Sequence, residues 1–429
     1  MTHTTLEIPP LGPVDAVVTV PGSKSLTNRA LLVAALAGGE SRLTGCLFSD
    51  DTRYMLAALQ TLGVACEADE PACTIRVVGC DGRFPRGGVT LFVGNAGTAM
   101  RFLTAAAAAC GRNIVMDGNA RMRQRPIGEL LGALRQLGAE VSAVGDCPPV
   151  TTGSSGLPGG ACTFADPQSS QYVSAVLMAA PYARASVSVE VAGTLVSEPY
   201  VEMTRAVMAA FDATTERIGK AFRIAPQRYR GRAYAVEPDA SSASYPLAIA
   251  AVTGGRVRVA GLGTDSKQGD ARFVDVLEKM GCAVSRGADF LEVRGARPLR
   301  GIDVNLADMP DMAQTLAAVA VFAEGPTAVR GVANLRIKET DRIAALRNEL
   351  TKLGAVVEVL DDGLVIRPPE RIRPAEIDTY DDHRMAMSFA VIGCGAAGVV
   401  IRDPGCVSKT FPDFFDRLAA LRGSAGGNP

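Results

Sequence analysis

The sequence predicts a two-domain α/β protein that is built from six internal repeats of about 72 residues, three in each domain. A small or polar residue opens an apolar helix in each repeat, and these openings lie 69 to 73 residues apart. They are Ser25, Thr98, Ser170, Ser242, Asp311 and His383. A second helix keeps the same period and ends near residues 63, 138, 212, 281, 354 and 423. Two markers with one period indicate a repeat architecture. A chain of 429 residues is longer than one hydrophobic core typically supports, so two domains are expected.

Strand-like segments alternate with these helices. Residues 6–20 alternate between apolar and polar positions, and β-branched residues follow the first helix of a repeat at 113–116 and 185–189. The first helices are apolar enough to be buried on most of their sides. The third repeat passes to the fourth near residue 239. The predicted domains are therefore residues 21–239 and residues 1–20 with 240–429.

Composition excludes several classes of function. The formal net charge is −1 and no basic run is present, which argues against nucleic acid and anionic membranes as partners. The ten cysteines form no CxxC pair and only two histidines accompany them, so no metal site is expected. The N-terminus lacks a signal peptide, and glycines interrupt the uncharged run 385–401. A cytoplasmic protein with free thiols is expected.

Cations at the helix openings point to a small anionic ligand. A helix N-terminus offers free N–H groups and the positive end of the helix dipole, which suit phosphate and carboxylate. Five cations stand in or beside such openings: Lys24, Arg125, Arg342, Arg384 and Lys409. Taken one at a time, each could be a solvated surface charge, and each polar opening could be a simple helix cap.

Ten motifs, spread in order across all six repeats, resemble the 5-enolpyruvylshikimate-3-phosphate (EPSP) synthase family. They are PGSKSLTNR (21–29), GNAGTAMR (94–101), RQRPI (123–127), SSQY (169–172), SEPY (197–200), DASSASY (239–245), MPD (309–311), NLRIKETDR (334–342), DDHRMAM (381–387) and SKTFPDF (408–414). The resemblance implies a two-domain inside-out α/β barrel, the enolpyruvyl transferase fold. It also implies transfer of the carboxyvinyl group of phosphoenolpyruvate to the 5-hydroxyl of shikimate-3-phosphate, with release of phosphate, in the shikimate pathway.

The resemblance also assigns residues to the two substrates. Phosphoenolpyruvate would be bound by Lys24, Asn95, Gly97, Thr98, Arg125, Arg342, Arg384 and Lys409. Shikimate-3-phosphate would be bound by Ser25, Arg29, Ser169, Ser170, Gln171, Ser197, Tyr200, Asp311, Asn334 and Lys338. No cofactor is implied, glyphosate is the family's competitor of phosphoenolpyruvate, and a monomer is expected. Ser169 and Ser197 could serve at the same time as helix caps.

Four residues would carry the chemistry by the same resemblance. Asp311 would take the proton from the 5-hydroxyl, and Glu339 would deliver one to the methylene carbon. Lys24 would share in proton transfer and His383 would support the site. Proton transfer depends on position first and on pKa second. From the sequence alone, both acids could instead cap their helices.

Three other functions are less consistent with the sequence. The related enolpyruvyl transferase that acts on UDP-N-acetylglucosamine has an AKN opening where this chain has Ser23-Lys24-Ser25. That family also has a reactive cysteine where this chain has Ala120. A non-catalytic sugar-phosphate binding protein would be expected to lack Lys24, Asp311 or Glu339. A nucleotide enzyme is disfavoured because the sequence has no GxxxxGK[ST] motif.

One position departs from the family's pattern. Many members read GNAGTAMRP, whereas Phe102 follows Arg101 here. A proline would remove an N–H group from the first turn of a helix predicted to begin near Thr98, and phenylalanine restores it. Because its ring could displace Gly97, glyphosate is expected to inhibit more weakly than in proline-bearing relatives. Alternatively, Phe102 faces the domain core and has no such effect.

Overall fold

The computed structural model describes residues 4–424, and the chain divides into two compact units. The first unit is Gly22–Glu237, and the second unit combines Met1–Pro21 with Pro238–Pro429. Both are mixed α/β, and each has its own hydrophobic core. The mixed α/β class predicted from the sequence is confirmed.

The chain begins with two strands of the second unit, β1 (Thr5–Ile8) and β2 (Asp15–Val18). The helices of the first unit are α1 (Lys24–Leu36), α2 (Asp50–Thr61), α3 (Gly97–Ala109), α4 (Gly128–Gln136), α5 (Ser170–Ala179) and α6 (Glu198–Ala210). Its strands are β3 (Glu40–Thr44), β4 (Ala65–Asp69), β5 (Thr74–Val78), β6 (Val89–Phe92), β7 (Ile114–Asp117), β8 (Val141–Ala143), β9 (Val150–Thr152), β10 (Gly160–Phe164), β11 (Val187–Val191), β12 (Glu216–Ile218), β13 (Ala221–Ile224) and β14 (Ala233–Ala235).

The second unit continues from residue 238 with the same kinds of element. Its helices are α7 (Ala240–Thr253), α8 (Phe273–Lys279), α9 (Ala313–Ala320), α10 (Arg342–Lys352), α11 (His383–Gly395) and α12 (Phe414–Ser424). Its strands are β15 (Arg256–Ala260), β16 (Ala283–Arg286), β17 (Phe290–Arg294), β18 (Leu299–Arg300), β19 (Asp303–Asn305), β20 (Ala323–Glu324), β21 (Thr327–Arg330), β22 (Val356–Val359), β23 (Leu364–Arg367), β24 (Ala375–Ile377) and β25 (Val399–Arg402).

The sheets of both units share one pattern, in which a parallel pair of strands continues into an antiparallel pair. In the first unit the strand orders are β14-β3-β5-β4, β6-β7-β9-β8 and β10-β11-β13-β12. The second unit has β2-β15-β17-β16, β19-β21-β23-β22 and β24-β25-β1, together with the small pair β18-β20. Parallel neighbours need a crossover connection, and a buried helix supplies it between β6 and β7 and between β10 and β11.

The crossover helices form the cores. In the first unit, α3 packs against both α1 and α5, and every residue of α3 is buried. In the second unit, α11 packs against α7 and α9, which are buried in the same way. Helices with apolar residues on all sides are stable only inside such a core, as their sequence predicts. Most of the predicted site residues lie in or beside the first turns of the helices.

Candidate active site

The first turn of α1 holds Lys24 against a carboxylate. The Ser23 hydroxyl caps the helix by accepting a hydrogen bond from the N–H of Leu26 at 3.4 Å. Lys24 Nζ lies 3.2 Å from Asp51 Oδ2, and the Asp51 side chain is 3% exposed. Asp51 stands in the first turn of α2, where the helix dipole favours a negative charge. Asp51 was not among the residues predicted from the sequence, and it is the partner of Lys24.

Two guanidinium groups lie over Gly97 at the start of α3. Arg125 donates from Nη1 to the main-chain oxygen and to Oδ1 of Asn95, both at 3.0 Å. Arg101 donates from Nη1 to the Gly97 carbonyl at 3.2 Å and from Nη2 to the Pro126 carbonyl at 2.8 Å. A Cβ atom on Gly97 would lie 2.6 Å from Arg125 Nη2 and 2.9 Å from Arg101 Nη1. Glycine is therefore required here for close approach rather than for an unusual φ.

Arg29 is buried at 1% exposure and joins α1 to α6. Its Nε donates to Thr204 Oγ1 at 2.7 Å, its Nη1 to the Ser25 carbonyl at 3.0 Å and its Nη2 to the Tyr200 carbonyl at 3.1 Å. Burial lowers the pKa of Arg29 to about 10, so the group stays charged at neutral pH. Two of the three bonds fix the main chain at Ser25 and Tyr200, which were predicted to bind shikimate-3-phosphate.

The openings of α5 and α6 differ in their capping. Ser169 is the N-cap of α5 and accepts a hydrogen bond from the N–H of Gln171 at 3.3 Å, while Ser170 begins the helix. Ser197 occupies the N-cap position of α6 in a left-handed conformation, with φ of 58°, and its side chain makes no capping bond. A buried, left-handed serine that does not cap its helix is better explained by a role outside the helix.

Three cations and two acids of the second unit form one network. Arg342 donates from Nη1 to Asp311 Oδ1 at 3.0 Å and from Nη2 to Glu339 Oε2 at 2.9 Å. Arg384 Nη2 donates to Asp311 Oδ2 at 2.8 Å. Lys409 Nζ lies 4.0 Å from Glu339 Oε1. The structure thus brings together five predicted site residues that are separated by as many as 98 positions in the chain.

Asp382 extends this network through Arg342 and was not among the residues predicted from the sequence. Its carboxylate is fully buried, caps α11 at the Arg384 N–H (2.9 Å) and accepts from Arg342 Nε at 2.7 Å. His383 Nδ1 lies 3.5 Å from Asp382 Oδ1. Burial alone would lower the pKa of Arg342, but the surrounding carboxylates raise it above its usual value. The signal that could have identified Asp382 was its place before the helix-opening His-Arg pair.

Three further predicted residues, Asn334, Lys338 and Thr98, lie near these groups in sequence. Asn334, in the 3₁₀ segment Ala333–Ile337, has a buried Oδ1 without a hydrogen-bond partner in residues 4–424. Lys338 ends that segment directly before Glu339. Thr98 is the second residue of α3 and is 6% exposed. A buried acceptor without a partner suits a ligand hydroxyl or a water molecule.

Within residues 4–424, no group of three or more His, Cys, Asp or Glu side chains could hold a metal ion. In the same range, no helix is long and apolar enough to cross a membrane. The positive groups described above are arginine and lysine side chains. Such groups bind carboxylate and phosphate, and arginine can do so through two parallel hydrogen bonds.

Comparisons with known proteins agree with this chemistry. Residues 8–418 match the family model "EPSP synthase (3-phosphoshikimate 1-carboxyvinyltransferase)". The chloroplastic 3-phosphoshikimate 1-carboxyvinyltransferase of Brassica napus is 49% identical over 96% of this chain and 84% of its own. The enzyme of the same name from Nostoc punctiforme is 49% identical over 96% of this chain and 98% of its own.

Solved structures support the fold. EPSP synthase from Acinetobacter baumannii superimposes with a TM-score of 0.81 at 27% identity over 98% of both chains. The enolpyruvyl transferase NikO from Streptomyces tendae has a TM-score of 0.78 at 20% identity over 98% of both chains, a likeness of fold alone. The predicted enolpyruvyl transferase fold and the predicted activity are confirmed. The chain belongs to the EPSP synthase family, the 3-phosphoshikimate 1-carboxyvinyltransferases, which transfer the enolpyruvyl group of phosphoenolpyruvate to shikimate-3-phosphate in the shikimate pathway.

Proposed function

We propose that the residues assembled above perform this transfer in named roles. The phosphate and carboxylate of phosphoenolpyruvate are bound by Lys24, Asn95, Gly97, Thr98, Arg125, Arg342, Arg384 and Lys409. Shikimate-3-phosphate is bound by Ser25, Arg29, Ser169, Ser170, Gln171, Ser197, Tyr200, Asp311, Asn334 and Lys338. Three of the five N–H groups of Arg29 donate to protein oxygens, two of them to the Ser25 and Tyr200 carbonyls, so Arg29 acts mainly by fixing the main chain at these two residues.

In the addition step, Asp311 accepts the proton of the 5-hydroxyl as that oxygen bonds to C2 of phosphoenolpyruvate. The electron pair of the C2–C3 double bond takes a proton from Glu339 and forms a methyl group. In the elimination step, Glu339 takes a proton back from that methyl group. The double bond forms again, and the C2–O bond to phosphate breaks. Lys24 stabilises the departing phosphate and shares in proton transfer, while His383 supports Asp382.

The observation that carries these roles is the contact of one arginine with both acids. Arg342 bonds Asp311 and Glu339, so it fixes the distance between the proposed base and the proposed acid. A second arginine holds the other oxygen of Asp311, which favours its ionised form as a base. Glu339 Oε1 lies 4.0 Å from Lys409 Nζ. Fixed donors of this kind are effective because they need no rearrangement during the reaction.

The test is phosphate release, measured with each substrate alone and with both together. Release should require both shikimate-3-phosphate and phosphoenolpyruvate and should continue in a chelator. UDP-N-acetylglucosamine, the acceptor of the related enzyme, should not replace shikimate-3-phosphate. Loss of activity in the chelator, or preference for the nucleotide sugar, would contradict the proposal.

The proposal extends to the protein's wider properties. The units of the structure are proposed as two domains, 21–239 on the shikimate-3-phosphate side and 1–20 with 240–429 on the side of the catalytic acids. Glyphosate is the proposed inhibitor, competing with phosphoenolpyruvate at the cations near Gly97. The protein is proposed to be a cytoplasmic monomer, which sedimentation of the purified chain and cell fractionation can test.

A further inference from the structure

Glu349 is a fully buried carboxylate for which the reaction has no direct use. It lies in α10 at 0% exposure and accepts three hydrogen bonds. They come from the Tyr380 hydroxyl at 2.7 Å, the Asp378 N–H at 3.0 Å and Lys352 Nζ at 2.6 Å. Burying a carboxylate is costly unless donors of this kind compensate it. Two of the three donors belong to the segment that leads into the active site.

That segment contains an unusual turn. The Asp382 N–H donates to the Thr379 carbonyl at 2.9 Å, and the residues between them have φ of 56° (Tyr380) and 54° (Asp381). Two consecutive left-handed residues define a type I′ turn, which strongly favours Asn, Asp or Gly. Tyrosine has no such preference, so this conformation persists only where its surroundings enforce it. Glu349 bonds the chain on both sides of Thr379, at Asp378 and at Tyr380.

The turn ends at the centre of the active site. Asp382 caps α11, bonds Arg342 and precedes His383 and Arg384. Arg342 is the first residue of α10, and Glu349 lies seven positions later on the same face of that helix. One helix therefore holds the segment 378–384 at two levels, through Arg342 at Asp382 and through Glu349 at Asp378 and Tyr380.

We propose that Glu349 and Tyr380 are positioning residues, which hold the Thr379–Asp382 turn in the conformation that places Asp382 and Arg384 for phosphoenolpyruvate. The inference rests on the role proposed above for Arg384. The neighbouring ion pairs do not account for the burial of Glu349. Lys352 and Asp378 already pair at 2.8 Å with side chains 37% and 41% exposed, and Arg402 adds a further contact to Asp378. These surface charges can pair without a buried glutamate.

The first test variant is Tyr380→Phe, which removes one hydroxyl from a residue that is 38% exposed and should therefore fold normally. We expect kcat/KM for phosphoenolpyruvate to fall about tenfold, because a displaced turn misplaces Arg384. The dissociation constant of shikimate-3-phosphate alone and the Tm should change little. Tyr182→Phe is the matched control, since its hydroxyl bonds the Leu36 carbonyl at the far end of α1. It should leave the kinetics of both substrates unchanged.

The second variant is Glu349→Gln, which keeps the size of the side chain but replaces one accepting oxygen by an amide donor. That donor faces either the Tyr380 hydroxyl or the Lys352 and Asp378 donors. We expect a larger loss for phosphoenolpyruvate than with Tyr380→Phe, and in the double variant the effects should be less than additive.

Glu292→Gln is the control for Glu349→Gln. Glu292 also accepts hydrogen bonds from two side chains, Arg256 and Arg258, but it lies in the β15–β17 sheet and not next to the Thr379–Asp382 turn in the chain. A variant that lowers Tm but changes both substrates equally, or neither, would overturn the positioning role.

Arg384→Lys separates this inference from the proposed function. If it leaves phosphoenolpyruvate kinetics unchanged, the proposed role of Arg384 fails and the inference fails with it. If Arg384→Lys impairs phosphoenolpyruvate use while Tyr380→Phe and Glu349→Gln do not, only the positioning role is overturned.

Discussion

Two fully buried arginines, one in each unit, are held in opposite ways. Arg29 in the first unit donates to a hydroxyl and two carbonyl oxygens, and burial lowers its pKa to about 10. Arg342 in the second unit donates to three carboxylates, which outweigh burial and raise its pKa. Both are charged at neutral pH. Neutral oxygens leave the positive field of Arg29 intact, whereas carboxylates cancel the field of Arg342 and are themselves oriented by it.

Neighbouring arginines show the same contrast, which distinguishes attraction of anions from proton transfer. In the first unit, Arg101 and Arg125 also donate to carbonyl or amide oxygens, an arrangement that suits attraction of anions. In the second unit, Arg384 donates to Asp311, an arrangement that suits proton transfer. We therefore expect substitutions of Arg29, Arg101 and Arg125 to act mainly on binding. Substitutions of Asp311 and Glu339 should act mainly on turnover.

The largest effect should come from Glu339→Gln, which removes the proposed proton donor but keeps its shape. We expect kcat to fall about a thousandfold while the KM values change little, since general acid catalysis contributes roughly 10²–10⁴-fold. Single-turnover measurements of phosphate release test this directly. Glu358→Gln, on an exposed part of β22, should behave like the unchanged protein. Normal turnover in Glu339→Gln would assign proton donation to another group.

Arg29→Lys should be next, and it tests the first unit. A lysine cannot reach three oxygens with fixed geometry, so the main chain at Ser25 and Tyr200 loses its support. We expect the KM of shikimate-3-phosphate to rise about tenfold and the free energy of unfolding to fall by about 2 kcal/mol. Steady-state kinetics and urea unfolding measure the two. Arg223→Lys is the control, because Arg223 is the exposed residue of β13. An effect on kcat alone would contradict the expectation that Arg29 acts on substrate binding.

Gly97→Ala should have a smaller effect, confined to phosphoenolpyruvate. The added methyl group would lie 2.6 Å from Arg125 Nη2 and 2.9 Å from Arg101 Nη1, so both guanidinium groups would have to move. We expect the KM of phosphoenolpyruvate to rise about threefold to tenfold, with shikimate-3-phosphate binding unchanged. Gly132→Ala in α4, where a Cβ meets no atom within 4 Å, is the matched helical control. An unchanged KM would mean that phosphoenolpyruvate does not approach Gly97.

The sequence predicted the class of fold and the cations well, because both follow from local patterns. Apolar helices opened by polar residues must be buried, and the motifs mark the helix starts. The sequence did not predict which side chains pair with one another. Asp51 and Asp382 pair with site residues across the chain, and the three bonds of Arg29 depend on how α1 meets α6. The burial of Glu349 could not be predicted from its helix, because it depends on the turn that contains Tyr380, 31 residues away.

Phe102 shows the same limit. Phe102 was expected in the first turn of a helix that begins near Thr98, but even from Thr98 it would be the fifth residue, and α3 begins at Gly97, so Phe102 is its sixth. Its N–H therefore lies in the hydrogen-bonded part of the helix, where proline breaks a bond and kinks the axis. The ring is fully buried in the core of the first unit, and Arg29 Cζ lies 5.1 Å from the ring centroid. Phe102 thus supports Arg29 as well as α3.

The smallest expected effect is on inhibition by glyphosate. Phe102→Pro should tighten glyphosate about threefold, because a change in the helix axis moves Gly97 and Thr98 slightly. It should also lower the free energy of unfolding by about 3 kcal/mol through the lost helix bond. Phe102→Leu keeps the N–H but removes the aromatic ring, so it isolates the contact with Arg29. A further outcome is that Phe102→Leu raises the KM of shikimate-3-phosphate while Phe102→Pro leaves glyphosate inhibition unchanged. That pair of results would mean that Phe102 acts only by supporting Arg29 and does not influence the glyphosate site.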